Sequence, residues 1–181
     1  MDDLLFKPLS YSYRVDKNIW AGEYPVRNWD RDLKIKQLKF LTDFGINSFL
    51  DLTTEGEMPP YSTCLNNDII RYSLPIVNRG IPKSVESVVE MFRTIEDLLI
   101  RKPETKLYIH CVGGVGRTGT IVSCYFVYFK HMNANDALAE MQRRYLTHQR
   151  SRWISAPETE LQVQFVNDFA DKVLNVTDII Y

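Results

Sequence analysis

Apolar residues change their spacing several times along this chain, and each change marks an element. From Tyr13 to Trp20 they alternate with polar ones, and Gly22 and Pro25 follow, which predicts an opening hairpin. Leu33, Leu38, Leu41 and Phe44 recur at helical spacing, with Gly45 as a stop. Ile46 to Leu52 reads as a buried strand. Thr53 to Asn67 is polar, carries Pro59 and Pro60, and is expected as a loop. Ile69 to Val77 reads as another strand, running into Asn78-Arg79-Gly80-Ile81-Pro82. Ser84 is placed to cap an amphipathic helix carrying Val85, Val88, Val89, Phe92, Ile95 and Leu99. A strand-like Lys106-Leu107-Tyr108-Ile109 and a nearly continuous apolar helix from Thr120 to Phe129 come next. Two more helices are expected, Asn135 to Tyr145 and Pro157 to about Leu174, the second with Pro in its first turn. Strands alternating with helices predict an α/β layered domain, and one domain is expected over residues 1–181.

Between the strand at Leu107 and the apolar helix lies His110-Cys111-Val112-Gly113-Gly114-Val115-Gly116-Arg117-Thr118. A strand, a glycine-rich turn and a helix start form a phosphate cradle: amide N–H groups converge on an anion, and the positive end of the helix dipole favours it. Residues Val112 to Gly116 would supply those amides. Cys111 is expected to be the nucleophile, as a thiolate favoured by the aligned amides and a nearby cation. Arg117, planar and permanently charged, is suited to hold two phosphoryl oxygens as charge develops. Thr118 is expected to donate its hydroxyl to the sulfur, and His110 to hold the entry of the cradle. The nucleotide-binding phosphate loop is excluded, because no Lys-Ser or Lys-Thr pair follows the glycines.

The run from His110 to Gly119 resembles the signature of the cysteine-dependent protein tyrosine phosphatases, especially their small dual-specificity branch. The likeness covers roughly residues 15 to 170. Trp20-Ala21-Gly22-Glu23-Tyr24-Pro25, Gly45-Ile46 before Asp51-Leu52-Thr53, and Ala156-Pro157-Glu158-Thr159 with Gln162 resemble segments of bacterial members. The resemblance implies a three-layer phosphatase-like domain. Its central, mostly parallel sheet would be flanked by helices, with the phosphate-binding loop between a strand and a helix N-terminus. It also implies a protein phosphatase acting on phosphotyrosine, or on phosphoserine and phosphothreonine, through a cysteinyl-phosphate. Gln162 would orient the water that releases phosphate, or else be a helix-surface glutamine.

One position departs from the pattern. The resembled phosphatases carry their general acid as Pro-Ile-x-Asp-x-x-x-Pro, whereas this chain has Pro75-Ile76-Val77-Asn78-Arg79-Gly80-Ile81-Pro82. An amide hydrogen-bonds a leaving oxygen but gives it no proton, so Asn78 affects turnover more than phosphate capture. Three readings stay open. Another carboxylate, Glu55 or Glu57, serves as the acid; the substrate has a leaving group that needs none; or the protein is slow, by nature or by engineering. A pseudophosphatase that captures phosphoprotein without turnover is the alternative of a different class. A phosphoinositide phosphatase is a further one. Val112 and Val115, the variable side chains of the cradle, are neutral, which favours a singly phosphorylated protein substrate. Arg79, Arg143, Arg144, Arg150 and Arg152 are candidates for positive potential near the mouth.

Composition narrows the setting. The 181 residues are 45% hydrophobic, enough for a sizeable core, and the formal net charge of −1 argues against nucleic acid as partner. Cys64, Cys111 and Cys124 fit no disulfide framework. Cys124 reads as a core residue, and Cys64 as a candidate for protective oxidation onto Cys111. With His110, His131 and His148 the cysteines match no zinc spacing, so no metal and no cofactor are expected. His131 and His148 read as surface residues. Asp2 and Asp3 stand where a secretory signal carries positive charge, and no apolar run reaches membrane-spanning length. A cytoplasmic protein is expected; the oligomeric state is not legible.

Overall fold

The computed structural model describes residues 7–147 and 154–177. Five strands form one sheet in the order β1-β2-β5-β3-β4. Strands β1 (Ser12–Asp16) and β2 (Ile19–Gly22) make the expected antiparallel hairpin. The pairings of β2 with β5 (Leu107–His110), of β5 with β3 (Ser48–Asp51), and of β3 with β4 (Ile70–Ser73) are all parallel. Thus β5 is central, flanked by strands reached through opposite crossovers. In parallel α/β sheets ligands sit at such a switch point, outside the carboxyl ends of the strands.

Period-two alternation sends the two faces of the sheet into separate apolar clusters. Leu107 and Ile109 of β5 join Ile19, Ala21, Leu50 and residues of the four later helices. Tyr108 joins Trp20 and Phe49 on the other face, against Leu38 and Leu41. The helices in chain order are α1 (Arg31–Asp43), which carries Leu38 and Leu41, and the four later ones, α2 (Val85–Arg101), α3 (Gly116–Lys130), α4 (Ala134–Tyr145) and α5 (Glu160–Thr177). Among the described residues, α1 and a 3-10 turn (Ser62–Cys64) cover the second face, and α2 to α5 cover the first. The layered α/β reading holds.

Element edges differ from the sequence expectations in instructive ways. On α1 the buried positions are Lys34, Leu38 and Leu41, while Leu33 is exposed. Lys34 lies along apolar surface and donates its ammonium to the Pro60 carbonyl at 2.9 Å. Strand β4 stops at Ser73 rather than reaching Val77; Pro75, lacking an N–H, follows on this edge strand. Helix α2 begins as expected, with a Ser84–Ser87 capping box. Helix α3 starts at Gly116, four residues before the apolar run. It is buried continuously to Val127, since α4, α5 and the sheet all pack on it. Helix α5 starts at Glu160, because Thr159 caps it through its hydroxyl, which accepts from Gln162 N at 3.2 Å. Pro157 therefore lies before the helix.

Candidate active site

Cys111 is the first residue beyond the central strand, and alternation turns its side chain toward the α3 face, where it is 3% exposed. The following loop is pinned from both sides. Gly114 takes φ +72°, and a Cβ there would stand 2.3 Å from the Gly22 carbonyl carbon. Only glycine meets both demands. The buried Tyr13 hydroxyl donates to the Gly114 carbonyl at 3.2 Å, and Tyr24 N donates to the Val112 carbonyl at 3.0 Å. Val112 and Val115 are half-buried and Gly113 is exposed. Gly116 opens α3, so the first-turn N–H groups, which have no partner within the helix, lie at the loop end of it.

The sulfur of Cys111 accepts a hydrogen bond from Gly114 N at 3.3 Å. Thr118, expected to donate to it, is fully buried, and its hydroxyl has no hydrogen-bond partner among the described residues. The steadying contact to the sulfur thus comes from a backbone amide of the loop.

Arg117 is 3% exposed and makes a two-pronged pair with Glu57: Nη1 to Oε2 and Nη2 to Oε1, both at 2.7 Å. Nη1 also donates to the Ile76 carbonyl at 3.0 Å, and Nη2 approaches Asn78 Oδ1 at 3.5 Å. Burial opposes the guanidinium charge, but the hydrogen bonds to Glu57 and the nearby sulfur outweigh it and raise the pKa of Arg117. In turn the hydrogen bonds from Arg117 hold Glu57 below the usual carboxylate range, against the opposing effect of burial. A proton donor must keep its proton near neutral pH. Glu57 is therefore placed as a grip on the guanidinium, and its carboxylate is poorly suited to the acid role considered for it. Glu55 is exposed, beyond this contact.

His110 faces the other side of the sheet. Its Nε2 lies 2.7 Å from the Tyr61 hydroxyl, and Asp51 Oδ1 lies 3.9 Å from Nδ1. Complete burial depresses the pKa of His110 to about 4, with the Asp51 carboxylate pulling the opposite way. The imidazole is neutral. Asp51 itself is held by the Thr53 amide and hydroxyl and by Arg71.

The segment carrying Asn78 closes over this arrangement. Arg79 takes φ 62° and donates to Glu158 Oε1 at 3.3 Å on the surface. Gln162, expected either to orient water or to lie on the helix surface, is completely buried. Its Nε2 donates to the Gly80 carbonyl at 3.0 Å, and its Oε1 accepts from Glu158 N and Thr159 N at 3.1 and 3.2 Å. A Cβ on Gly116 would meet that amide at 2.9 Å and Glu158 Oε2 at 3.2 Å.

The structure thus brings Cys111, Arg117, Asn78 and Gln162 to one end of the sheet, together with Glu57, Glu158, Tyr13 and Tyr61. The sequence marks Glu57 only as a possible acid, and Tyr13, Tyr61 and Glu158 carry no chemical signal of their own there. Other candidates lie elsewhere or are otherwise committed. Arg143 and Arg144 pair with Glu140, and Arg144 also donates to the Arg14 carbonyl. Arg150, Arg152 and His148 fall outside the described residues. His131 is exposed at the end of α3, and Cys124 is a core residue as expected. Cys64 packs with the α1-side cluster, across the sheet from Cys111, which speaks against their pairing. Among the described residues no group of three or more His, Cys, Asp or Glu is arranged to hold a metal ion. No helix among them is long and apolar enough to cross a membrane.

Known proteins resemble this chain along most of its length. The 197R protein of Invertebrate iridescent virus 6, whose name assigns it to the tyrosine phosphatases, is 25% identical over 175 residues. That match covers 92% of this chain and 59% of the viral protein, so the chain spans about three fifths of this relative's length. Among solved structures, Tk-PTP in its active form superposes with a TM-score of 0.72 at 22% identity, covering 88% of this chain and 96% of the other. PTPMT1, solved in complex with PI(5)P, gives 0.69 at 14% identity, covering 92% and 99%. At such identities the two structures establish the fold. The model of one family matches residues 20–163, most of the chain, including Asn78, Cys111, Arg117 and Gln162. With its loop from Cys111 to Arg117 at the head of a buried helix, the chain belongs to that family, the DSP-PTPase phosphatase domain of the Swiss Army Knife proteins, PTP-SAK.

Proposed function

We propose that this domain hydrolyses phosphotyrosine in protein, with phosphoserine and phosphothreonine as further substrates, through a cysteinyl-phosphate. The observation that carries the reading is the pairing of a buried Cys111 sulfur, bonded by the Gly114 amide, with an Arg117 gripped at its outer edge. Glu57 pairs with Nη1 and Nη2 and leaves Nε out of that pair, so the guanidinium is held in one orientation. In the first step the Cys111 thiolate attacks phosphorus, a P–S bond forms, and the P–O bond to the substrate breaks. The departing oxygen leaves with its electron pair, hydrogen-bonded by Asn78, and takes its proton from solvent. In the second step water attacks phosphorus, the P–S bond breaks, and inorganic phosphate and the thiolate are regenerated. A reducing, cytoplasmic setting suits such a thiol.

Neutral, half-buried Val112 and Val115 offer nothing to a second phosphate, which favours phosphoprotein over phosphoinositide. A second reading, a phosphoprotein-binding module, is motivated by Asn78 alone. Turnover of an aryl phosphate, phosphotyrosine, phosphoserine and inositol phosphates separates these readings, with Cys111→Ser as control. The protein is expected to turn over the aryl phosphate and phosphotyrosine and to lose both in Cys111→Ser. Asn78→Asp is expected to raise phosphotyrosine turnover by up to about 10²-fold, and to help much less where the leaving group is already a stable anion. Tight, saturable binding without product would replace the enzyme by the module. Preference for inositol phosphates would replace the protein substrate.

A further inference from the structure

Asn78 and its neighbours must meet the departing oxygen, yet the turn that carries them lies on the surface: Val77, Asn78 and Arg79 are all exposed. Something has to fix its height above the cradle. The Gly80 N–H bonds back to the Val77 carbonyl at 2.8 Å, closing the turn on itself. The Gly80 carbonyl points the other way, to Gln162 Nε2. Gln162 Oε1 meanwhile takes two amides from the segment before α5, and the same side chain lies against Gly116, the first residue of α3. Residues 78–80, the segment before α5 and the head of α3 therefore converge on one buried amide group.

Resting on the phosphatase reading above, we propose that Gln162 is a positioning residue for the leaving-group loop. Its amide links residues 78–80 to the head of α3 and does not serve as the group that orients the hydrolytic water. Oε1 already accepts two N–H bonds, and Nε2 has one good acceptor with its burial complete. A water at Oε1 would have to displace one of these bonds, leaving a buried polar group unpaired, and the second N–H of Nε2 is shut off from solvent by the complete burial of the side chain. The exposed Arg79–Glu158 ion pair fastens the same joint from outside and, at that exposure, contributes little on its own. Within this link the geometry is directional. A glutamate at 162 keeps the acceptor for Glu158 N and Thr159 N but loses the donor to the Gly80 carbonyl and places a second carboxylate beside Glu158.

The two roles slow different steps. A loosened loop slows formation of the cysteinyl-phosphate, most severely for substrates whose leaving oxygen needs help. A misplaced water slows only its hydrolysis, whatever the substrate. The test is stopped-flow product release by the wild type, Gln162→Ala and Gln162→Glu. Two substrates are compared, phosphotyrosine peptide and an aryl phosphate with a good leaving group. Vanadate binding and a thermal melt verify that each variant keeps its cradle, and Arg79→Ala serves as a variant that loosens the joint without disturbing a buried group. Expected for Gln162→Ala and Gln162→Glu is a fall of about tenfold or more on the peptide, equivalent to about 1.4 kcal/mol. On the aryl phosphate the fall should stay within about threefold, with no new burst; Arg79→Ala should show the same preference in weaker form. A stoichiometric burst followed by slow turnover, alike on both substrates, would overturn the proposal and make Gln162 the water-orienting residue. Equal losses on both substrates without a burst, or none on either, would overturn it too. If the wild type itself fails to turn over either substrate, or Cys111→Ser remains active, the underlying phosphatase reading fails instead, and the two failures are told apart by the controls.

Discussion

At Glu57, exchanging one oxygen for an amide nitrogen keeps the shape and removes the charge that grips Arg117. Glu57→Gln should lower kcat/KM by at least about fivefold, or about 1 kcal/mol, and by the same factor on phosphotyrosine and on an aryl phosphate with a good leaving group. A proton donor would behave differently, sparing the good leaving group; steady-state kinetics on the two substrates decide. His110 makes a pH prediction of defined sign. Its pKa falls from 6.5 in the open chain to about 4 in the fold. Between those values the unfolded chain binds the extra proton, so stability rises with pH there and declines as pH falls from 6.5 toward 4. The full effect is about 3 kcal/mol. Urea unfolding across this range should show the slope, and His110→Gln should flatten it by one proton; an unchanged slope would mean that the imidazole charges within the fold. Cys111 and Arg117 were legible as a pair because five residues separate them. The role of Glu57 was hidden, because 59 residues lie between it and the guanidinium it holds.

Among the elements, the apolar runs were read correctly, and their ends were not. Strand β4 is shorter than its apolar spacing implied, because Pro75 follows it, and helix α5 begins three residues later, at the Thr159 cap, and runs on to Thr177. Helix α3 is longer, because its first turn is made of the cradle glycines and Arg117, which carry no hydrophobic signal. The amphipathic face of α2 was nearly right: Leu98 rather than Leu99 is its buried final position. The hairpin β1–β2 was foreseen as an element, but not its function as a wall of the site. A Cβ at Gly22 would fall 2.6 Å from the Tyr11 carbonyl and 2.7 Å from the Tyr108 hydroxyl, while Gly114 presses on its backbone from the other side. Gly22→Ala should therefore cost about 1–3 kcal/mol in urea unfolding and weaken vanadate binding as well, although it lies far outside the signature. Lost stability with unchanged vanadate affinity would show that the hairpin does not shape the cradle.

Across the whole molecule, the central strand explains why so much converges. Strand β5 has parallel partners on both sides, its alternate residues feed two cores, and the loop at its end receives contacts from residues near both ends of the chain. Pairing order and crossover direction are properties of the assembled sheet, which no local pattern along the sequence encodes. Tyr13, Gly22, Glu57, Tyr61 and Gln162 acquire their roles only there. That distributed construction makes the cradle a thermodynamic sensor of what it holds. With Gly22 against Gly114 and Gln162 against Gly116, the loop has its shape only in the native chain, and on the phosphatase reading proposed above that shape is an anion pocket that dissolves on unfolding. An oxyanion that fits it binds one side of the folding equilibrium, and each tenfold rise in its free concentration above Kd adds about 1.4 kcal/mol to the unfolding free energy. Melting temperatures of this domain are in that sense affinity measurements, and two variants can be ranked for stability only at the same concentration of phosphate.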